Sequence, residues 1–266
     1  MRGYITYFKS ELLIGLQYKA SAFAGILTQF FWGILYVLVY EAFYNYAKVD
    51  TINFKELMCY VWLTQAFFSL ILLSIKDNQI SDEIKNGTVA YELTRPYNLY
   101  WWWYIKILSR RYAMCALRCI PVIIFAFLLP EPYNLSAPYS LTSFILFIFA
   151  LFLGTLLISS IGMIMQIIGF FTYQDKGITS LICIIGGLLS GIDIPLPLMP
   201  KTILKITEYL PFRLIGDLSS RIYSGNIKLE YGLKSIIFQI IWIIILIFIG
   251  KKLMRLALNK VSVQGG

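Results

Sequence analysis

A chain without a single histidine has few ways to activate a nucleophile. Ser159, Ser160 and Ser190 are hydroxyls in apolar surroundings with no imidazole to take their protons, which argues against an enzyme acting on lipid. Cys59, Cys115, Cys119 and Cys183 also fall in apolar stretches, where a free thiol behaves as a small hydrophobe. They lack the Cys-x-x-Cys spacing of a metal or disulfide site, so no resident cofactor or metal is expected. There is no Gly-x-x-x-x-Gly-Lys-Ser/Thr loop to cradle nucleotide phosphates, so energy from ATP would have to enter through another chain. No paired carboxylates lie inside the apolar segments, which argues against a proton relay or a metal-dependent membrane enzyme. The polar residues left inside those segments are Gln29, Gln65 and Gln166. An isolated membrane glutamine ordinarily hydrogen-bonds a neighbouring helix.

One polar segment is long and looks ordered. Between Lys76 and Arg111 the chain reads Ser81-Asp82-Glu83-Ile84-Lys85-Asn86-Gly87. Ser81 is a good N-cap, Asp82 and Glu83 suit a first helical turn, and Asn86-Gly87 is a stop. The pattern predicts a helix of one or two turns, a surface suited to docking a soluble partner. After Pro96 and Asn98 the run Tyr100 to Tyr104, with three tryptophans, reads as an aromatic belt at headgroup depth before the next span.

The elements that position these residues are set by where charge is missing. No Asp, Glu, Lys or Arg occurs in 20–40, 57–75, 132–174, 177–192 or 235–250. A helix needs roughly 20 apolar residues to cross a hydrocarbon core about 30 Å thick. The reading is an all-α integral membrane protein with one permease-like bundle over 1–266 and spans at about 21–40, 58–74, 112–129, 141–171 and 235–250. The tract 177–192 is short and glycine-rich, and either crosses as a sixth span or dips in and returns. The composition, 59% hydrophobic with a mean hydropathy of +0.72, agrees. The net charge of +9 is spread beside the spans, which fits anionic headgroups better than nucleic acid.

Arg118 sits in the first half of the third span, near enough to the interface to snorkel. Span 141–171 is longer than one crossing requires, so it tilts or projects. The positive-inside count favours five spans slightly and puts the amino terminus and the segment from Lys76 to Arg111 in the cytoplasm. Before the first span, Ile5, Phe8, Leu12 and Leu16 recur at helical spacing, as in a helix lying in the membrane interface. The first twenty residues lack the apolar core of a cleavable signal peptide, so the amino terminus is expected to stay in the mature chain. Ile203, Ile206, Leu210, Leu214 and Leu218 also recur at helical spacing, predicting a second surface-lying helix.

Glu83-Ile84-x-x-Gly87 followed by Leu93-x-Arg95-Pro96, then Gly191-Ile192-x-Ile194-Pro195-Leu196, Leu210-Pro211-Phe212 and Ile222-Tyr223-x-Gly225, resemble the membrane subunits of type-two ATP-binding-cassette exporters. The resemblance is to the bacterial branch with permease and ATPase on separate chains, placed in the cytoplasmic membrane. It implies six spans, a dimer with a second permease of the same or a homologous chain, and an ATPase partner that carries the ATP and Mg. It implies a coupling helix at Ser81 to Gly87, with Asp82, Glu83 and Lys85 as polar contacts and Ile84 as an apolar knob. The tract with Gly191, Asp193, Pro195 and Pro197 would be a re-entrant element on the outer side after span five, and 201–227 a lid. In such a dimer Gln29, Phe30, Gln65 and Gln166 would face a central substrate path. A nucleotide-independent secondary transporter or channel is the rival class, and it would need titratable groups at mid-membrane that are nearly absent here.

Overall fold

The computed structural model describes residues 2–47, 50–74, 77–172 and 176–259; Lys48 of the first loop and Lys76 at the head of the polar segment lie outside them. Among the described residues the chain is helical, without strands. The helices are α1 (Arg2–Leu16), α2 (Lys19–Tyr46), α3 (Phe54–Ala66), α4 (Phe68–Ile71), α5 (Asn78–Lys85) and α6 (Val89–Leu93). They continue with α7 (Leu99–Leu128), α8 (Leu141–Ile168), α9 (Lys176–Ser190), α10 (Lys201–Tyr209), α11 (Asp217–Ser224) and α12 (Leu229–Leu258), with 3-10 turns at Leu196–Leu198 and Phe212–Leu214.

Four helices, α2, α7, α8 and α12, are long and apolar enough to cross a membrane. At 1.5 Å per residue each is about 42–45 Å long, well beyond the hydrocarbon thickness, so their ends project. The central post is α8, the most apolar and most buried of the four, flanked by α12, α11, α7 and α4. Its hydroxyls are satisfied within the helix: Thr155, Ser159 and Ser160 donate to the carbonyls of Leu151, Thr155 and Leu156. Its surplus length carries Gln166 out to the layer of α5.

Two apolar clusters fix the ends of the bundle. The large one joins α2, α3, α7, α8, α11 and α12. The smaller gathers Ile80 of α5, Val89 of α6, Tyr100, Trp103 and Tyr104 of α7, Met163 and Ile167 of α8, and Met254 and Ala257 of α12. The start of α7 and the last turns of α8 and α12 therefore share one end with α5 and α6. At the opposite end Trp62 Nε1 donates to the Tyr133 carbonyl at 2.8 Å, and Tyr223 donates to the Ser136 carbonyl at 2.9 Å.

Several expectations change. The second span, expected at 58–74, starts earlier and breaks at Phe67 into α3 and α4, and the helix stops at Leu72. Arg111 of α7 is fully buried there and donates to the carbonyls of Ser69 (3.3 Å) and Leu72 (2.8 Å), a cation on the negative end of a helix. The helix of the expected third span, α7, begins at Leu99 rather than near 112, capped by Asn98. Tyr100, Trp103 and Tyr104 are thus interior residues of the smaller cluster rather than a belt at the lipid boundary. As expected, the prolines close it, since Leu129 is extended ahead of Pro130.

The helix predicted across 201–227 is three pieces. Leu210 is extended because Pro211 follows it, and Leu214 and Leu218 are buried in the large cluster. Neither the single surface helix nor a lid built from its whole length survives, because α11 packs against α8 and α3. Likewise α1 runs beside the first turns of α7, with Ile5 exposed and Tyr4, Tyr7 and Phe8 against Trp102 and Tyr112. Gly15 allows that approach, since a Cβ there would lie 2.5 Å from Ala113 Cβ. Lastly, α9 has 15 residues, about 22 Å, short of a full crossing. Gly191, at φ +78°, turns the chain where the Tyr60 hydroxyl donates to its carbonyl at 3.0 Å.

Candidate functional site

The polar helix predicted from Ser81 to Gly87 forms, but its start moves. Asp77 is the N-cap, accepting from Ile80 N at 3.1 Å, so Ser81 lies inside α5 rather than at its head. The stop holds: Asn86 is the C-cap and Gly87 takes φ +70°. Ile80 is fully buried in the smaller cluster and Ile84 packs against it, so the apolar side of α5 faces this chain's own core. Asp82, Lys85, Asn86 and Gly87 are exposed, and Glu83 is half-buried.

Asp77 fastens α5 to the bundle. Its carboxylate pairs closely with the Arg110 guanidinium and lies 3.9 Å from Lys106 Nζ, both cations being on α7 one turn apart. Arg110 also reaches Glu11 of α1 at 3.5 Å and Gln79 of α5 at 3.4 Å. From α8, Gln166 Nε2 donates to the Asp77 carbonyl at 3.0 Å, while the Ser81 hydroxyl lies 3.1 Å from Gln166 Oε1 and 3.0 Å from the same carbonyl. Trp102 is sandwiched between Tyr7 of α1, at 3.6 Å between ring centroids, and Tyr97 of the α6–α7 loop, at 4.1 Å. Burial, then the bond it donates to Glu92, pushes the Tyr97 phenol up to about 12, so it stays protonated. Burial likewise raises the Glu83 carboxyl against the pull of Lys106.

A second site opens on the flank of the bundle. Between α2, the α3–α4 break, α7 and residues 192–193 lies a cavity of about 480 Å³. Gln29, Gln65, Arg118 and Asp193 line it, with Trp32, Tyr36 and Phe68 as aromatic wall. Arg118 reaches back to the first turn of α2, where Nη2 donates to the Ser21 carbonyl at 3.3 Å. A Cβ on Gly25 would stand 2.3 Å from its guanidinium carbon, so glycine makes room for it.

The candidate path residues therefore separate. Gln29 and Gln65 share the cavity, as does Asp193 from the outer element. Phe30 packs on Phe125 at 4.5 Å between centroids, and Gln166 belongs to the anchorage of α5. Of the remaining outer-element residues, Gly191 forms the turn, Pro195 is buried, and Pro197 sits in the 3-10 turn, its carbonyl accepting from Thr51 at 2.6 Å. The roles of Asp77, Lys106, Arg110 and Glu11 were not read from the sequence. The available signal was the i,i+4 pair of cations, Lys106 and Arg110, on a helix extending below its apolar part.

The family model of the ABC-2 family transporter proteins matches residues 32–265. The chain belongs to this family. It is thus a multi-pass ABC-2 permease, the membrane component of an ABC transporter, and such permeases work with an ATPase. No curated protein matches the chain. The two sites of this permease differ in build: the end that carries α5 presents an exposed polar helix tied to three others, and the flank holds a polar cavity among apolar helices.

Proposed function

We propose that this permease exports its substrate from the bacterial cytoplasm as a dimer, driven by separate ATPase chains that dock on α5. The carrying observation is the Asp77 node: α5 is tied to α7 by Arg110 and Lys106, to α8 by Gln166, and through Arg110 to α1. A displacement of α5 by closing ATPases moves these helices together, whereas a loosely tethered loop would absorb it. Only contacts that differ between two ATPase states can shift the permease equilibrium, and the exposed Asp82, Lys85 and Asn86 with half-buried Glu83 are the groups available for them. The substrate path is the cavity with Gln29 and Gln65. Gly191, Asp193, Pro195 and Pro197 form the outer re-entrant element that bounds it.

Six crossings, one of them made by α9 together with the turn that follows it, fit this reading better than five. The last turns of α12 lie beside α5 and the first turns of α7, and the start of α2 shares a cavity with Asp77 and Arg110 at the same end, so an even number of crossings separates the two ends of the bundle's chain. The excess of basic residues at that end argues that it is cytoplasmic.

Co-expression with the cognate ATPase tests the proposal. Glu83→Lys and Lys85→Glu are expected to reduce the ATPase retained by the purified permease at least tenfold and to abolish ATP-dependent transport in proteoliposomes. Transport of the same cargo by the permease alone, without nucleotide or companion protein, overturns the reading.

A further inference from the structure

The flank cavity holds polar groups whose bonding capacity the protein leaves unused. Gln29 is 97% buried, yet neither its Nε2 nor its Oε1 has a partner among the described residues. Leaving both ends of a buried amide empty costs stability that an apolar side chain of the same shape would not. Arg118 bonds one backbone carbonyl at 3.3 Å, and its buried Nε has no acceptor. Among the described residues no ion pair joins Arg118 or Asp193 to anything. The two opposite charges thus share one cavity without neutralising each other.

Their places along α2 give the separation. Arg118 lies against Gly25, whereas the turn that carries Asp193 meets α2 farther along, where its neighbours Ile192 and Pro195 line a small pocket with Tyr36 and Tyr40. From Gly25 to Tyr36 the helix rises about 16 Å, the span of about five extended residues. A phospholipid headgroup, whose phosphate and ammonium are near neighbours, cannot reach both. Between the charges stand Gln29 and Gln65, amides that both donate and accept, as a peptide backbone does. The wall of Trp32, Tyr36 and Phe68 is apolar and aromatic.

We infer that the cavity binds a short apolar peptide of about four to five residues with free termini. Its carboxylate sits at Arg118, its ammonium at Asp193, and its backbone on Gln29 and Gln65. This rests on the cavity being the substrate path, and it names the substrate class. The peptide lies along α2, carboxylate toward the end that carries α5. The aromatic wall selects apolar side chains without specifying their order.

The test is equilibrium binding to the full permease in nanodiscs, with no ATPase or nucleotide present, so its outcome is independent of the energy source. The probes are tetra-leucine with both termini free and its N-acetyl, C-amide and doubly blocked forms. Free tetra-leucine is expected to bind, with each single block weakening it at least tenfold. In Asp193→Asn the N-acetyl penalty should vanish, and in Arg118→Gln the C-amide penalty should vanish. Gln29→Leu guards against misfolding: it should melt no lower than the parent, because it removes an unsatisfied buried amide, yet bind tetra-leucine at least tenfold more weakly. Equal binding of all four probes, penalties unchanged in the charge variants, or displacement of the free peptide by phosphatidylethanolamine at equal mole fraction each overturns the inference.

Discussion

Asp77 does three jobs at once: it caps α5, pairs with Arg110 and Lys106, and offers its carbonyl to Gln166. Two substitutions separate the first two. Asn caps as well as Asp, so Asp77→Asn keeps the helix start but leaves Lys106, nearly buried, facing a neutral amide. Removing one partner of a buried pair costs roughly 3 kcal/mol, less here because Arg110 is partly exposed and screened. Asp77→Ala removes the cap too and should cost about 1 kcal/mol more. Thermal unfolding of the purified permease checks the order, parent above Asn above Ala. Glu83 behaves oppositely. Burial raises its carboxyl above the ordinary value, so its charged form is disfavoured in the folded chain; the resulting loss of stability is absent at low pH and sets in as pH rises through the raised pKa. Glu83→Gln should therefore melt no lower than the parent at pH 7, with any gain disappearing as the pH falls toward that of an ordinary glutamate. ATPase retention should nonetheless drop, which separates docking from folding. In the sequence Asp77 and Asp82 look equivalent; only the arrival of α7 and α8 makes one a node and leaves the other on the surface.

Close helix approaches depend on glycines that no motif marks. Gly154 of α8 is the tightest against backbone, since a Cβ there would stand 2.5 Å from the Ile215 carbonyl oxygen. Backbone cannot rotate away as a long side chain does, so Gly154→Ala must push the segment before α11 off α8. Gln239 of α12, which donates to the carbonyls of Ala150 and Leu214, should lose one of these bonds. The expected cost is about 1–3 kcal/mol, read as a lower melting temperature and faster proteolysis of 201–227. Much of the element order was legible, because charge-free runs of bilayer length admit few structures besides helices. The Asn86-Gly87 stop was legible too, being local chemistry. The stop at Leu72 was not, since the carbonyls it frees are taken by Arg111, which is 39 residues away in sequence and so invisible to any local window. The apolar repeat in 201–227 misled because buried and lipid-facing stripes share the same period, and Pro211 weighed more than the repeat.

At the scale of the whole molecule the question is parity, which charge counting and packing answer differently. The count leans toward five crossings because 201–227 is a long connection, where loop charges say little about side. Packing places Met254 and Ala257 in one cluster with Ile80 and Val89, and the first turns of α2 beside Asp77 and Arg110 across a cavity of about 330 Å³. Side chains that touch across a bundle end lie on one side of the membrane whatever charges the intervening loop carries. This yields a labelling pattern for single cysteines introduced into a variant lacking Cys59, Cys115, Cys119 and Cys183. An impermeant maleimide added to intact cells should modify Lys205→Cys on α10 and spare Asp82→Cys on α5 and Asn259→Cys after α12, both of which should react once the membrane is opened. Labelling of Asn259→Cys from outside, with Asp82→Cys still protected, would require α12 to end on the far side and is incompatible with the cluster that joins them.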